Sequence, residues 1–224
     1  MPKKEVQAKN PALSGLSSLP PRVCSVLKVV GFVLLLWGCT AVGAIYLPGN
    51  PVPITLQTLA LMLAGLSLSV CEAGATALSY LAAGAMGLPV FAGGASTAAL
   101  FGSSAGWLWG FVPGIIVTAW LNGNRQRKVG RRGQNQLKNQ LQNQDQGKGQ
   151  ATVWSYGRAV FASLVGCIGV VYACGILIQS VILHLPVTVV AAASVGFLSG
   201  DLLKSIMAAA VFLSISGARR VFSR

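Results

Sequence analysis

AVFASLVGCIGVVYACGILIQSVILHLPVTVVAAASVGFLSG, residues 159–200, contains no Asp, Glu, Lys or Arg. A run of that length cannot form a water-facing surface. It is roughly twice the ~20 apolar residues that cross a hydrocarbon core about 30 Å thick. A second run, residues 29–124, carries a single charge, Glu72. Over the 224 residues, 54% are hydrophobic and 9% charged, with a mean hydropathy of +0.67, whereas soluble domains are about one quarter charged. These values exclude a soluble enzyme, a secreted disulfide scaffold and a disordered chain. The sequence is that of an integral membrane protein.

Of the 17 basic residues, 15 sit in three segments. Five precede or open the first apolar run (Lys3, Lys4, Lys9, Arg22, Lys28), and seven occupy the polar break between Arg125 and Lys148. Three more lie at Arg219, Arg220 and Arg224. Segments rich in Lys and Arg stay cytoplasmic, so an even number of spans must separate each from the next. The net charge of +13 therefore reads as orientation; the lipid bilayer is an expected partner and nucleic acid is not.

Residues 23–47 supply a first span, ended by Pro48, Pro51 and Pro53. Residues 54–70 and 73–88 supply the second and third, with Glu72 at the turn between them. A glycine-rich connection precedes a fourth, 105–121, which contains Pro113. Residues 153–183 supply a fifth. Pro186 follows, and the short run 187–197 is expected to be re-entrant or interfacial, because parity calls for a single last span, 201–218. The expected fold is all-α, with six transmembrane helices and both termini cytoplasmic. A basic tail (1–22) leads into helices one to four (23–121) and a Gln/Asn/Arg-rich disordered cytoplasmic loop (122–150). Helices five and six (151–218) and a basic tail (219–224) complete the chain. The loop acts as tether and orientation signal, with RNA or anionic lipid as alternative partners. Residues 29–39 imitate a signal-peptide core, but their apolar run continues to Leu47 and cleavage would break the parity.

The five cysteines form no Cys-x-x-Cys pair and His184 is the single histidine, so no metal centre is expected. Neither a Ser-His-Asp arrangement nor a phosphate-binding loop occurs, and acids are too few for general acid–base work. An enzyme is not expected. Asp201 and Lys204 stand out, since an i, i+3 pair shares one helix face and ionised groups inside a membrane cost about 2.5–3.5 kcal/mol each. Such a pair either neutralises itself as a packing device or meets a small polar ligand. Phe91, Trp107, Trp109 and Phe111 cluster around the third loop as interface anchors or as walls for a ligand ring. Gly93 and Gly94 permit close backbone approach. Thr55, Gln57 and Tyr80 are polar groups on apolar helices, suited to helix–helix hydrogen bonds.

Three segments occur in order: Val52-Pro53-Ile54-Thr55-Leu56-Gln57-Thr58-Leu59, Gly84-Ala85-Met86-Gly87-Leu88-Pro89-Val90-Phe91-Ala92-Gly93-Gly94 and Gly200-Asp201-Leu202-Leu203-Lys204. Together they resemble the BioY family, the biotin-binding S component of energy-coupling factor (ECF) transporters. The resemblance implies a six-helix S-component-like bundle in the plasma (inner) membrane that captures biotin at an outward-facing pocket. It works with a transmembrane coupling subunit and ATPase subunits, or acts alone. Biotin would be the transported ligand and no cofactor is expected. On this resemblance Asp201 accepts the ureido N–H groups, and Lys204 bonds the ureido carbonyl or the carboxylate. Phe91, Gly93 and Gly94 line the third-loop wall, with Gln57 and Tyr80 as further biotin contacts. Two departures stand beside it. The loop after the fourth helix is an insertion, and the small residues expected at a coupling interface on the first helix are here Thr40, Gly43 and Ala44. The alternative reading is a structural or assembly membrane protein with Asp201–Lys204 as a packing device.

Overall fold

In a computed structural model of the chain, residues 20–45, 52–136 and 148–222 are described. Among them all regular elements are helical, apart from one antiparallel bridge between Ile45 and Ile54. Helix α1 is Pro21–Ala41, α2 is Gln57–Ser67, α3 is Val70–Ala85 and α4 is Ala105–Gln136. Helix α5 is one rod made of Lys148–Ser163, a π-helical stretch Leu164–Val170, and Val171–Leu183. Helix α6 is Val187–Phe222.

The expected count of six holds, but the last pair is arranged differently. Residues 187–197 are not re-entrant: they form the opening turns of α6, which continues unbroken through Gly200 and Asp201. His184, in a left-handed conformation at φ 52°, closes α5. Pro186 stands immediately before the first helical residue, a place where a missing N–H costs nothing. Asp201 consequently lies about 21 Å along α6 from its start, at 1.5 Å per residue, rather than at a helix end. The polar stretch 122–150 is described at its two ends. Helix α4 continues to Gln136 and α5 begins at Lys148, while residues 137–147 lie outside the described residues.

Among the described residues, four helical stretches are long and apolar enough to cross a bilayer: Arg22–Ala41, Ala105–Gly123, Trp154–Leu183 and Val187–Ile215. Leu27, Leu34, Val181, Val195 and Leu203 are exposed on their outer faces, as lipid contact requires. The 11-residue α2 is only about 16 Å long and is buried on most of its circumference, including Ala60, Leu61, Met62, Ala64 and Leu66. The chain entering it, from Val52 to Leu56, is not helical. Irregular backbone at membrane depth is tolerated where it lines a cavity, and that segment does so.

Helices α4 and α5 meet almost backbone to backbone. Gly106, Gly110 and Gly114 recur every fourth residue and so form one stripe on α4. A Cβ at Gly110 would lie 3.2 Å from the carbonyl oxygen of Val171, and one at Gly114 would lie 3.0 Å from that of Gly166. From the other side, a Cβ on Gly166 would lie 2.6 Å from the Thr118 nitrogen. Stripes of small residues allow this approach in membranes, where van der Waals packing replaces the hydrophobic drive. At the far end of the bundle Ser69 caps α3 in a reciprocal box with Glu72, whose Oε1 accepts from Lys28 Nζ at 3.4 Å. That pair ties the start of α3 to α1.

Candidate functional site

A cavity of about 360 Å³ lies among the segment entering α2, the connection between α3 and α4, the first turns of α4, and the middle of α6. Most of its wall is apolar, and one pole is ionic. Asp201 and Lys204, both buried, approach to 2.9 Å between Nζ and Oδ1. Lys204 Nζ also donates to the Thr55 carbonyl at 2.7 Å and to Thr58 Oγ1 at 3.1 Å. An ammonium has three protons, and each finds an acceptor. Thr58 in turn donates to Asp201 Oδ1 at 2.8 Å, and the Tyr172 hydroxyl donates to Asp201 Oδ2 at 2.8 Å. Three helices, α2, α5 and α6, thus converge on one carboxylate.

The apolar wall is built around Trp107. Its ring meets Tyr172 edge-on at 4.9 Å and Phe197 edge-on at 5.7 Å. Its Nε1 donates to Gln179 Oε1 on α5 at 2.9 Å, so the indole is held at both its apolar and its polar ends. On the opposite wall Phe91 lies edge-on to Tyr80, with ring centroids 5.3 Å apart. Its ring occupies the space where a Cβ on Gly84 would stand.

Gln57 is oriented from behind. The Tyr80 hydroxyl donates its one proton to the Val90 carbonyl at 2.6 Å, so it accepts from Gln57 Nε2 at 2.8 Å. That polarity turns Gln57 Oε1 to the other side of the amide. Thr40 Oγ1 reaches the same Val90 oxygen at 2.9 Å, which anchors the loop after α3 to α1.

Of the residues named from sequence, Asp201, Lys204, Phe91, Gln57, Thr55, Trp107 and Phe111 line the cavity, and Trp109 does not. Tyr80 stands behind Gln57 and Phe91, outside the lining. Gly93 and Gly94 are also outside it. With φ of 70° and 75°, a region that favours glycine, they make the tight turn by which Phe91 N–H donates to the Ala95 carbonyl at 3.0 Å. Thr40 is buried, and Gly43 and Ala44 follow beyond the end of α1. Sequence reasoning missed Thr58, Tyr172, Phe197 and Gln179. Tyr172 had one visible mark, as the sole tyrosine of the uncharged run 159–200. Among the described residues no group of three His, Cys, Asp or Glu side chains is placed to hold a metal.

The bundle that the six helices of the described residues form has the fold of an S-component. It superposes on the crystal structure at 2.1 Å of the S-component for biotin from an ECF-type ABC transporter with a TM-score of 0.69. That match has 18% sequence identity and covers 92% of this chain and 96% of the other. The chain belongs to the BioY family, whose family model matches residues 9–221. No curated protein matches it in sequence.

Proposed function

We propose that this chain is the substrate-binding membrane subunit of a biotin transporter. It takes biotin into the cavity and delivers it inward with an ATP-driven ECF module of a transmembrane coupling subunit and ATPase subunits. It is a transport subunit and not an enzyme. The observation that carries this reading is the Asp201–Lys204 pair at the pole of a cavity of about 360 Å³, within the ~300–1,000 Å³ typical of small-molecule sites. Biotin has the matching polarity: a ureido group with N–H donors and a carbonyl acceptor, an apolar fused ring, and a carboxylate tail. Asp201 accepts from the ureido end, Lys204 supplies positive charge to an acceptor, and Phe91, Trp107, Phe111 and Phe197 enclose the ring system. Gly93 and Gly94 shape the loop that carries Phe91, and Tyr80 acts through Gln57. With 15 of 17 basic residues before or at the opening of the first apolar run, in the central loop and in the C-terminal tail, both termini and residues 123–150 face the cytoplasm and the cavity faces outward.

The complete internal pairing of Lys204 favours a second reading, in which the ion pair is a packing device and binds nothing. Calorimetric titration of the purified protein in detergent separates the two. Saturable biotin binding is expected, weakened by roughly 10- to 100-fold in Asp201→Asn, which exchanges an acceptor for a donor. Desthiobiotin, with ureido group and carboxylate intact, should compete, whereas a simple fatty acid should not. A wild-type protein without biotin affinity leaves the packing reading standing.

A further inference from the structure

We infer that Tyr172, a residue outside the cavity lining, is a positioning residue that fixes how Asp201 meets its ligand; the inference rests on the biotin reading given above. An ionised carboxylate offers about four lone-pair directions. On Oδ1 two are taken, by Thr58 and Lys204. Tyr172 takes one on Oδ2, which leaves a single open direction on that oxygen. Asp201 is therefore an acceptor for one ureido N–H and not for both.

Tyr172 also decides where that direction points. The terminal torsion of an aspartate is broad, and turning about it carries both oxygens together. A donor from a different helix on Oδ2 grips the group at two points. Tyr172 is itself held, because its ring stands edge-on to Trp107 and Trp107 is tied back to Gln179, two turns further along the same helix. The other tyrosine hydroxyls with described partners donate to main-chain carbonyls, Tyr80 to Val90 and Tyr156 to Ile206. Tyr172 donates to a charge. It also stands two residues past the end of the π-helical stretch Leu164–Val170, an interruption of the regular helix frequent at functional sites.

Three ligands test this in detergent: biotin, and the two analogues carrying a methyl on one or the other ureido nitrogen. Wild type should bind one analogue at least about tenfold more weakly than biotin, since its N–H to Asp201 is gone. Tyr172→Phe keeps the ring against Trp107 and removes only the hydroxyl. It should weaken biotin by about tenfold, while the analogue that already lacks the Asp201 contact loses less than about threefold. A purely structural hydroxyl would weaken all three ligands alike, and that result, or unchanged biotin affinity, overturns the inference. So does a wild type that binds both analogues as tightly as biotin, without recourse to any variant. A wild type that binds no biotin sinks the proposed function, and this inference with it.

Discussion

Lys204 Nζ lies 2.7 Å from the main-chain oxygen of Thr55, a residue 149 positions away. The carbonyl is free for it because the chain at Thr55 has not yet become helical; α2 starts at Gln57. The last helix is thereby fastened to the segment that enters α2, and the cation is shared between loop and carboxylate.

Breaking that fastening from one side should cost more than removing it whole. Lys204→Met leaves Asp201 as a buried, uncompensated carboxylate, and such a loss typically costs about 3–5 kcal/mol. Asp201→Leu combined with Lys204→Met removes both charges and should recover much of the thermal midpoint, because apolar replacement of a buried pair is often neutral. Neither protein should bind biotin with more than about one hundredth of wild-type affinity. Thermal unfolding in detergent reads the first effect and titration reads the second. Equal midpoints for the single and double variants would contradict the pairing argument.

Tyr80→Phe deletes the hydroxyl that accepts from Gln57 and donates to Val90. The buried Gln57 amide loses its partner, at about 1–3 kcal/mol when left unsatisfied, while the Val90 carbonyl keeps Thr40 Oγ1 at 2.9 Å. The thermal midpoint should fall. Biotin affinity should also fall, by about three- to tenfold, because the Gln57 amide is then free to turn over. A midpoint within experimental error of wild type would show that neither bond contributes.

The stripe between α4 and α5 makes a prediction of opposite signs at two glycines. Gly166→Ala forces a methyl against the Thr118 nitrogen and the Gly114 carbonyl, and overpacking of this kind costs about 1–3 kcal/mol or more. At Gly200 an added Cβ meets nothing within 4 Å. Gly200→Ala, inside α6, should be neutral or stabilising by up to about 1 kcal/mol. Thermal midpoints measured side by side decide it, and equal losses at both sites would refute the packing account.

Orientation is open to direct chemistry. Single cysteines at Gln136 and Ser223, in a background without native cysteines, should resist an impermeant thiol reagent added outside intact cells. Labelling at either position would invert the proposed topology.

The helical class and the number of spans were legible because charge is almost absent from two long runs, and nothing subtler than hydropathy is needed to see that. The boundary between α5 and α6 was not. Pro186 and the Gly200–Asp201 pair look alike as interruptions in a sequence, yet only the first falls at a helix start, while the second sits in mid-helix with Asp201 paired sideways. Asp201 and Lys204 were visible as intramembrane charges. Thr58 and Tyr172 were not, since each is an uncharged polar residue on a different helix and only the fold brings both to one carboxylate. The α4 stripe of Gly106, Gly110 and Gly114 was not read as a packing face, because its counterpart, Gly166, lies on another helix and only the fold brings the two together.

The apolar stretch Val187–Ile215 of α6 has 29 residues, about 44 Å at 1.5 Å per residue, against a hydrocarbon core of about 30 Å. Standing upright, it would push roughly 14 Å of valine, leucine and isoleucine surface into headgroups and water. Leaning the helix shortens its vertical reach, and lipids with longer acyl chains reduce the need to lean. The posture of the whole bundle, and with it the depth of Asp201 below the surface, is therefore answerable to the thickness of the membrane around it.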